Sequence, residues 1–319
     1  MKGIQVSIVI PHYNTPDSLI RLIESIPANE EIQIVIVDDN STVDLTSLQD
    51  FLEKQQKNVV FTTNTSGTKG AGASRNVGLS KVQGKWVMFA DADDFFTEGF
   101  YDKICAYLES DYDMVYFPPT SLDLSTNQVS SRHVMYMGLV NAYREKPNLK
   151  KMTEMKYGYC TPWSKLIRFS VLQKNHVKFD QTMVSNDIMC MTKCAFYSKK
   201  ITASEDVIYC VTRGGKTLTS EKDEKRFDTR VEVLVHRYVF LREHLSKKEF
   251  RYAHIDRLAL GKLVDVWIEH WGIRKFFQIL RLYRKNRVHF FDIGLLNPVT
   301  VFQKAKIEFA WWNDIKKHR

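Results

Sequence analysis

The sequence predicts an α/β fold: a mostly parallel central sheet flanked by helices, with a C-terminal helical appendage. Three observations predict it. Short β-branched runs alternate with helical stretches over the first hundred residues. Polar clusters stand where several of those runs end, as they do when ligands bind beyond the carboxyl ends of parallel strands. The last third changes character, with 24 Lys+Arg against 13 Asp+Glu from Arg213 onward and 22 against 24 before it. The formal net charge of +9 therefore belongs to the C-terminal region.

Residues 4–10 (IQVSIVI) are apolar and β-branched, as a buried strand should be. Thr15-Pro16-Asp17 then opens a helix with Leu19, Leu22, Ile23 and Ile26 on one face. Residues 32–37 (IQIVIV) form a second strand ending in Asp38-Asp39-Asn40-Ser41, and residues 58–62 a weaker third. Residues 70–81, rich in small side chains, read as a helix; 85–90 as a fourth strand; 100–108 as a helix. Residues 110–160 have no clear period. A strand-like stretch follows at 206–212 (DVIYCVT), and helical patterns run over 225–245 and 252–270.

Composition narrows the class. With 319 residues, 44% hydrophobic and 26% charged, the chain is globular and long enough for one large domain or a domain with an appendage. Five scattered cysteines make a poor disulfide framework, and Cys190 and Cys194 lack the second pair of a zinc site, so both are expected to be partly buried thiols. A proline interrupts the N-terminal apolar run too early for a secretory signal, and no apolar run approaches the roughly 20 residues of a membrane span. The expectation is a cytoplasmic protein, soluble or peripheral on the inner face of the cell membrane.

The chemistry centres on FADADDFF, residues 89–96, where Asp91, Asp93 and Asp94 sit between two hydrophobic runs. Carboxylates at one-residue spacing on a strand end can offer oxygens to a hard divalent cation, Mg²⁺ or Mn²⁺; the plain alternative is a solvated turn. A calcium loop, a G-x-x-x-x-G-K-[ST] phosphate loop and a G-x-G-x-x-G fingerprint are all absent.

Taken in order, VSIVIPHYN, IVIVDDNSTVD, GAGASRNVGL, GKWVMFADADDFF, PWSKLIRFSVL, FDQTMVSNDIMC and VIYCVTRGGKTLTS resemble the successive motifs of family 2 glycosyltransferases, which have the GT-A fold. The resemblance covers about residues 4–220. It implies a catalytic domain over 1–220, with a nucleotide-sugar half at 1–110 and an acceptor half at 111–220, followed by a basic helical region at 221–319. It also implies an inverting transferase that moves a sugar from a nucleotide-diphosphate sugar, UDP by preference, to a glycan or lipid-linked acceptor in bacterial surface-polysaccharide synthesis. Tyr13 would stack on the base, with Pro11 shaping the turn. Asp39 would accept a hydrogen bond from the base, Arg75 would approach the nucleotide or its phosphates, and Asp91 would face the ribose. Asp93 would bind Mn²⁺ or Mg²⁺, and Asp94 would cap the next turn or touch a metal-bound water. Asp187 would be the general base, with Asn186 where the family usually has a first carboxylate. Each has a plainer reading: a packed tyrosine, a turn-capping Asp39, a surface Arg75, a helix N-cap at Asp187. Trp163 is expected to pack, and Lys165 to pack or line a pocket.

Two other classes fit the sequence less well. A sugar-nucleotide pyrophosphorylase wants a glycine-rich basic loop after the first strand, where this chain has Pro11-His12-Tyr13-Asn14. A non-catalytic nucleic-acid binder would need a basic stripe with interleaved aromatics, present only in the tail, so no nucleic-acid partner is expected. Residues 271–287 place Ile273, Phe276, Phe277, Leu280 and Tyr283 on one helical face and Arg274, Gln278, Arg281 and Lys285 opposite. Residues 302–319 add Trp311-Trp312 and a basic end. Such helices either pack on the catalytic domain or lie on an anionic membrane surface.

Overall fold

The computed structural model describes residues 3–55, 57–214 and 223–290. The nucleotide-side elements run β1 (Val6–His12), α1 (Pro16–Glu24), β2 (Ile32–Asp38), α2 (Thr46–Glu53), β3 (Asn58–Thr63), α3 (Ala71–Leu79) and β4 (Trp86–Phe89). Strand β2 is buried along its whole length, and β1 at all but Pro11, which explains their uninterrupted apolar sequences. Strand β3 is half-exposed at the sheet edge and reads more weakly. Pro16 starts α1 where no intrahelical N–H is needed, and Leu19, Leu22 and Ile23 face the core.

Next come β5 (Phe95–Phe96), α4 (Phe100–Leu108), β6 (Met114–Tyr116), β7 (Thr120–Asp123), β8 (Gln128–Val129), α5 (Val134–Glu145), α6 (Leu149–Gly158), β9 (Lys165–Arg168), α7 (Phe169–Lys174), α8 (Ile188–Tyr197), β10 (Ile201–Ala203) and β11 (Tyr209–Arg213). The main sheet has the order β10-β6-β9-β4-β1-β2-β3. Strand β1 pairs in parallel with β2 and β4, and β9 runs antiparallel between β4 and β6. The mostly parallel expectation is thus met. The carboxyl ends of β1, β2 and β4 share one edge, with His12 opposite Asp38 and Val9 opposite Phe89. A second sheet, β5-β11-β7-β8, accounts for part of the region that showed no period. Strand β11 pairs antiparallel with β5, which directly follows the acidic cluster. It begins at Tyr209 rather than Asp206, because Asp206 instead exchanges hydrogen bonds with Ser204 in a turn.

The described C-terminal residues form α9 (Glu224–His244), α10 (Lys247–Tyr252), α11 (Ile255–Ile268) and α12 (Gly272–Asn286). They close a second apolar cluster built on Phe227, Leu234, Tyr238, Ile255, Leu263 and Tyr283, into which Tyr157 and Ala195 of the preceding part also pack. Arg237 anchors α9 by donating to Thr192 Oγ1 at 3.0 Å and to the Tyr157 carbonyl. These helices therefore pack on the sheet-bearing part.

Two expectations are corrected here, and one left open, for Lys165, is settled. Helix α12 buries only part of the predicted face: Tyr283 is buried and Phe276 and Leu280 pack against the second cluster, but Ile273 and Phe277 are 50% and 55% exposed, and Lys275 and Ile279 turn inward instead. Lys275 can turn inward because Glu224 and Asp228 meet its ammonium at 2.7 and 2.8 Å; unpaired, its burial would cost several kcal/mol. Cys190 and Cys194 are fully rather than partly buried. Lys165 packs, with its ammonium 2.6 Å from the Thr161 carbonyl and 3.3 Å from the Tyr159 ring centre. Trp163 packs as expected, stacked on Tyr209 with centroids 5.9 Å apart. Residues 302–319 lie outside the described residues.

Candidate functional site

At the end of β1 the chain is pinned to β2 through a histidine. The Thr15 N–H donates to His12 Nε2 at 3.2 Å, so Nδ1 carries the proton and donates to Asp38 Oδ1 at 2.9 Å. Asp38 also accepts from the Ser41 hydroxyl and N–H. Burial opposes ionisation of Asp38, but the Ser41 and His12 hydrogen bonds outweigh it and hold its carboxyl below the ordinary range. Asp38 is thus the structural member of the Asp38-Asp39 pair, and it fixes the turn that carries Pro11 and Tyr13. Tyr13 is 42% exposed, with the Lys69 ammonium 4.0 Å from its ring centre. A ring presented this way has an open face.

Asp39 is buried and faces the start of α3. It accepts from Asn64 Nδ2 at 2.6 Å, Ser74 Oγ at 3.0 Å and the Gly70 N–H at 2.7 Å. Gly70 has φ of +127°, a conformation suited to glycine, which turns its N–H toward Asp39. Five residues on, Arg75 is the hub of the site. Its Nη2 donates to Asp91 Oδ1 at 2.5 Å and its Nη1 to Asn186 Oδ1 at 2.9 Å. Its guanidinium carbon lies 5.3 Å from the Phe179 ring centre, and Nε is buried without a partner. Segments 111 residues apart in the chain thus meet on one guanidinium. Gly72 permits the meeting: a Cβ there would fall 2.2 Å from the Asp180 carbonyl oxygen and 2.9 Å from Asn186 Cβ.

Asp91, Asp93 and Asp94 bring one carboxylate oxygen each within 4.8 Å of one another. They are not equivalent. Asp94 is buried, accepting from Tyr209 Oη at 2.9 Å and the Thr212 N–H at 2.7 Å, so it ties the acidic turn to β11. Tyr209 Oη also accepts the Asp91 N–H. Asp93 is exposed at the mouth, its carbonyl held by Arg21 and by the Thr212 hydroxyl. Burial, then the charges of its neighbours, pushes Asp94 well above the ordinary carboxylate range; Asp93, although part of it reaches solvent, is desolvated by the protein packed around its carboxyl, and this, with the Asp91 charge, pushes it up too. A cluster whose members raise one another is one a cation relieves. The donor set is all hard oxygen, which suits Mg²⁺ or Mn²⁺. Asp93 and Asp91 are the members that could hold the ion, because both oxygens of Asp94 are already engaged.

Asp187 occupies the N-cap position of α8, yet its side chain makes no capping hydrogen bond. The carboxylate is held above the ordinary range by burial, with the Asp91 charge adding and those of Arg75 and Lys165 opposing. The preceding residue, Asn186, is the one Arg75 grips. Asn64, Ser74, Arg132, Tyr209 and Thr212 belong to the site and were not read from sequence. Arg132 donates to the Thr212 carbonyl at 2.8 Å, and its charge lowers both Asp93 and Asp94. Only Ser74 carried a hint, sitting beside Arg75. The others act through partners up to 119 residues away, and no local pattern marks them.

The profile described as Glycosyl transferase family 2 matches residues 7–175. A poly(ribitol-phosphate) beta-glucosyltransferase of Bacillus spizizenii is 33% identical over 95 residues, 28% of this chain and 15% of that protein. The poly(ribitol-phosphate) beta-N-acetylglucosaminyltransferase TarS of Staphylococcus aureus is 22% identical over 67% of this chain and 37% of that protein. The chain thus spans well under two-thirds of the length of these relatives. Among solved structures, S. aureus TarS 1-349 in complex with UDP-GlcNAc superposes with a TM-score of 0.70 at 19% identity, covering 99% of this chain and 92% of that one. A mannosyltransferase of Pyrobaculum calidifontis, in complex with GDP-Man and Mn²⁺, gives a TM-score of 0.55 at 13% identity, covering 100% of this chain and 89% of that one.

Proposed function

The chain belongs to glycosyl transferase family 2, and from that premise we propose that it is an inverting transferase. It moves a hexosyl or N-acetylhexosaminyl group from a UDP-sugar to an acceptor hydroxyl on a surface glycan, lipid-linked or growing. The observation that carries the reading is the Arg75 bridge, which sets the acidic cluster and the Asn186-Asp187 turn on one guanidinium. The TarS relatives, whose names give poly(ribitol-phosphate) as acceptor, support a teichoic-acid type of polymer. The reading places the work at 1–220, with the nucleotide half at 1–110, the acceptor half at 111–220 and the helical region at 221–319 as the supporting unit.

Each side chain then has a task. Tyr13 stacks on the uracil over the turn shaped by Pro11. Asp39, both of whose oxygens are taken by Asn64, Ser74 and Gly70, sets the pocket floor rather than receiving the base edge. Asp91 faces the ribose, held by Arg75. Asp93, with Asp91, would hold Mn²⁺ or Mg²⁺, which would supply positive charge to the leaving diphosphate. Arg132 adds positive charge on the same side. Asp187 accepts the proton of the attacking hydroxyl, and a single displacement inverts the anomeric carbon without a covalent enzyme intermediate. A carboxyl raised by burial is a stronger base than an ordinary one, which suits that role.

The test is turnover of a panel of UDP-sugars with a ribitol-phosphate polymer as acceptor, read by NMR of the new linkage. A product of inverted anomeric configuration is expected. A retained configuration, or no transfer from any donor in the panel, contradicts the reading.

A further inference from the structure

Residues at the tip of the α11–α12 hairpin leave apolar side chains in water. Trp267 and Ile268 end α11 at 53% and 62% exposure, and Ile273 and Phe277 follow on α12. They form one strip rather than scattered residues: the Trp267 ring lies 5.6 Å from Phe276, whose ring lies 5.8 Å from Phe277. At about 100° per residue, Ile273, Phe277, Arg281 and Arg284 fall within an arc of about 80° on the outer side of α12. The apolar strip therefore runs directly into a basic one.

The charge on α12 is one-sided. The helix contains no Asp or Glu. Lys275 is neutralised by Glu224 and Asp228, whereas Arg274, Arg281, Arg284 and Lys285 form no ion pair among the described residues. Asp265 on the neighbouring helix is paired with Lys262. An aromatic and aliphatic tip flanked by uncompensated cations has the composition of a surface that lies in a bilayer interface. A second copy of the chain is a poorer occupant, because a two-fold contact would set the same cations against each other. No described helix is long and apolar enough to cross a membrane, so the contact is peripheral.

We infer that the α11–α12 tip docks on anionic lipid, inserting Trp267, Ile268, Ile273 and Phe277 while Arg274, Arg281 and Arg284 meet the headgroup phosphates. The inference does not depend on the sugar-transfer reading, since it is tested without a donor. The full chain is sedimented with phosphatidylcholine vesicles and with vesicles about one-third phosphatidylglycerol, at low and high salt. The expected result is binding to the anionic vesicles that weakens with salt. Trp267→Ser/Phe277→Ser and Arg274→Gln/Arg281→Gln/Arg284→Gln should each reduce it about tenfold or more, with helix content unchanged by circular dichroism. No binding by the unaltered chain overturns the inference. So does undiminished binding by both variants, which would move the contact elsewhere. A dimer that the Trp267→Ser/Phe277→Ser variant converts to monomer, without vesicle binding, gives the face to a second copy.

Discussion

Asp187 combines three properties that are seldom found together in a structural carboxylate. It occupies a helix N-cap without capping, it is held above the ordinary range by burial, and it follows a residue gripped by Arg75. As the base it must be ionised, so transfer should fall as pH falls through its raised value. The acid limb of the rate profile then lies above the ordinary aspartate value of 3.8. Asp187→Asn should lower transfer by about 10²–10⁴-fold with donor affinity unchanged. The stability sign is opposite. A carboxyl raised in the folded state favours folding below its unfolded value and loses that advantage as pH rises through the folded one. Asp187→Asn should therefore melt higher than the parent at neutral pH, with the gain vanishing in acid. A variant that melts lower at neutral pH would show that the carboxylate is a structural partner. The acidic motif stood out in sequence at a strand end, whereas Asp187 was singled out only through its place in the family's motif order, since alone it reads as a helix N-cap. Tyr209 and Thr212 were not, because their roles exist only through hydrogen bonds to residues about a hundred positions away.

At the scale of elements, α3 is the joint of the site: Ser74 reaches Asp39, Arg75 reaches Asp91 and Asn186, and Gly72 lets the 180–186 loop lie against the helix. Gly72→Val would force the Asp180 carbonyl away and shift Asn186 with it. Overpacking of this kind destabilises by about 1–3 kcal/mol, and transfer should fall further than that loss alone explains. A melting curve and a rate compared on one preparation check it; an unchanged rate would show that the loop position does not matter. Strands β1, β2 and β4 were readable because full burial writes itself as β-branched runs. Strands β5 to β8 span two to four residues each, too short for a period to show. Part of the α12 face was misread because Lys275, polar by type, becomes a core residue once two carboxylates meet it, and the helix turns Ile273 and Phe277 outward. The tie between α6 and the C-terminal helices is also electrostatic. Burial works against the Glu154 charge, but hydrogen bonds from His254 and Lys151 and the Lys151 and Lys150 charges prevail, bringing it down to about 2. That contribution is complete above the unfolded value near 4.5 and is lost as pH falls through about 2. Glu154→Gln should therefore destabilise at neutral pH and converge with the parent in strong acid. Parallel denaturation curves at the two ends of that window decide it.

Across the whole molecule, the negative and positive charges are divided between different jobs. Asp91, Asp93 and Asp94 gather where a cation and a diphosphate would meet, whereas the surplus of basic over acidic residues falls after residue 212. The second apolar cluster links the two parts by taking Tyr157 and Ala195 from the sheet-bearing one, so the basic helices are built onto the catalytic unit rather than trailing from it. The general plan was visible in the sequence, since period and charge both change along the chain; the second sheet and the tip of the hairpin needed coordinates. What joins the parts into one account is the proposal that Asp93 helps hold a cation at the donor site while Asp187 serves as a separate base. The direct measurement is calorimetric titration of UDP into the parent, Asp93→Asn and Asp187→Asn proteins, each with Mn²⁺ and with EDTA. The account predicts tight, Mn²⁺-dependent binding by the parent and by Asp187→Asn, and binding at least about tenfold weaker by Asp93→Asn. Equal affinity in all three proteins, or affinity indifferent to EDTA, would contradict it.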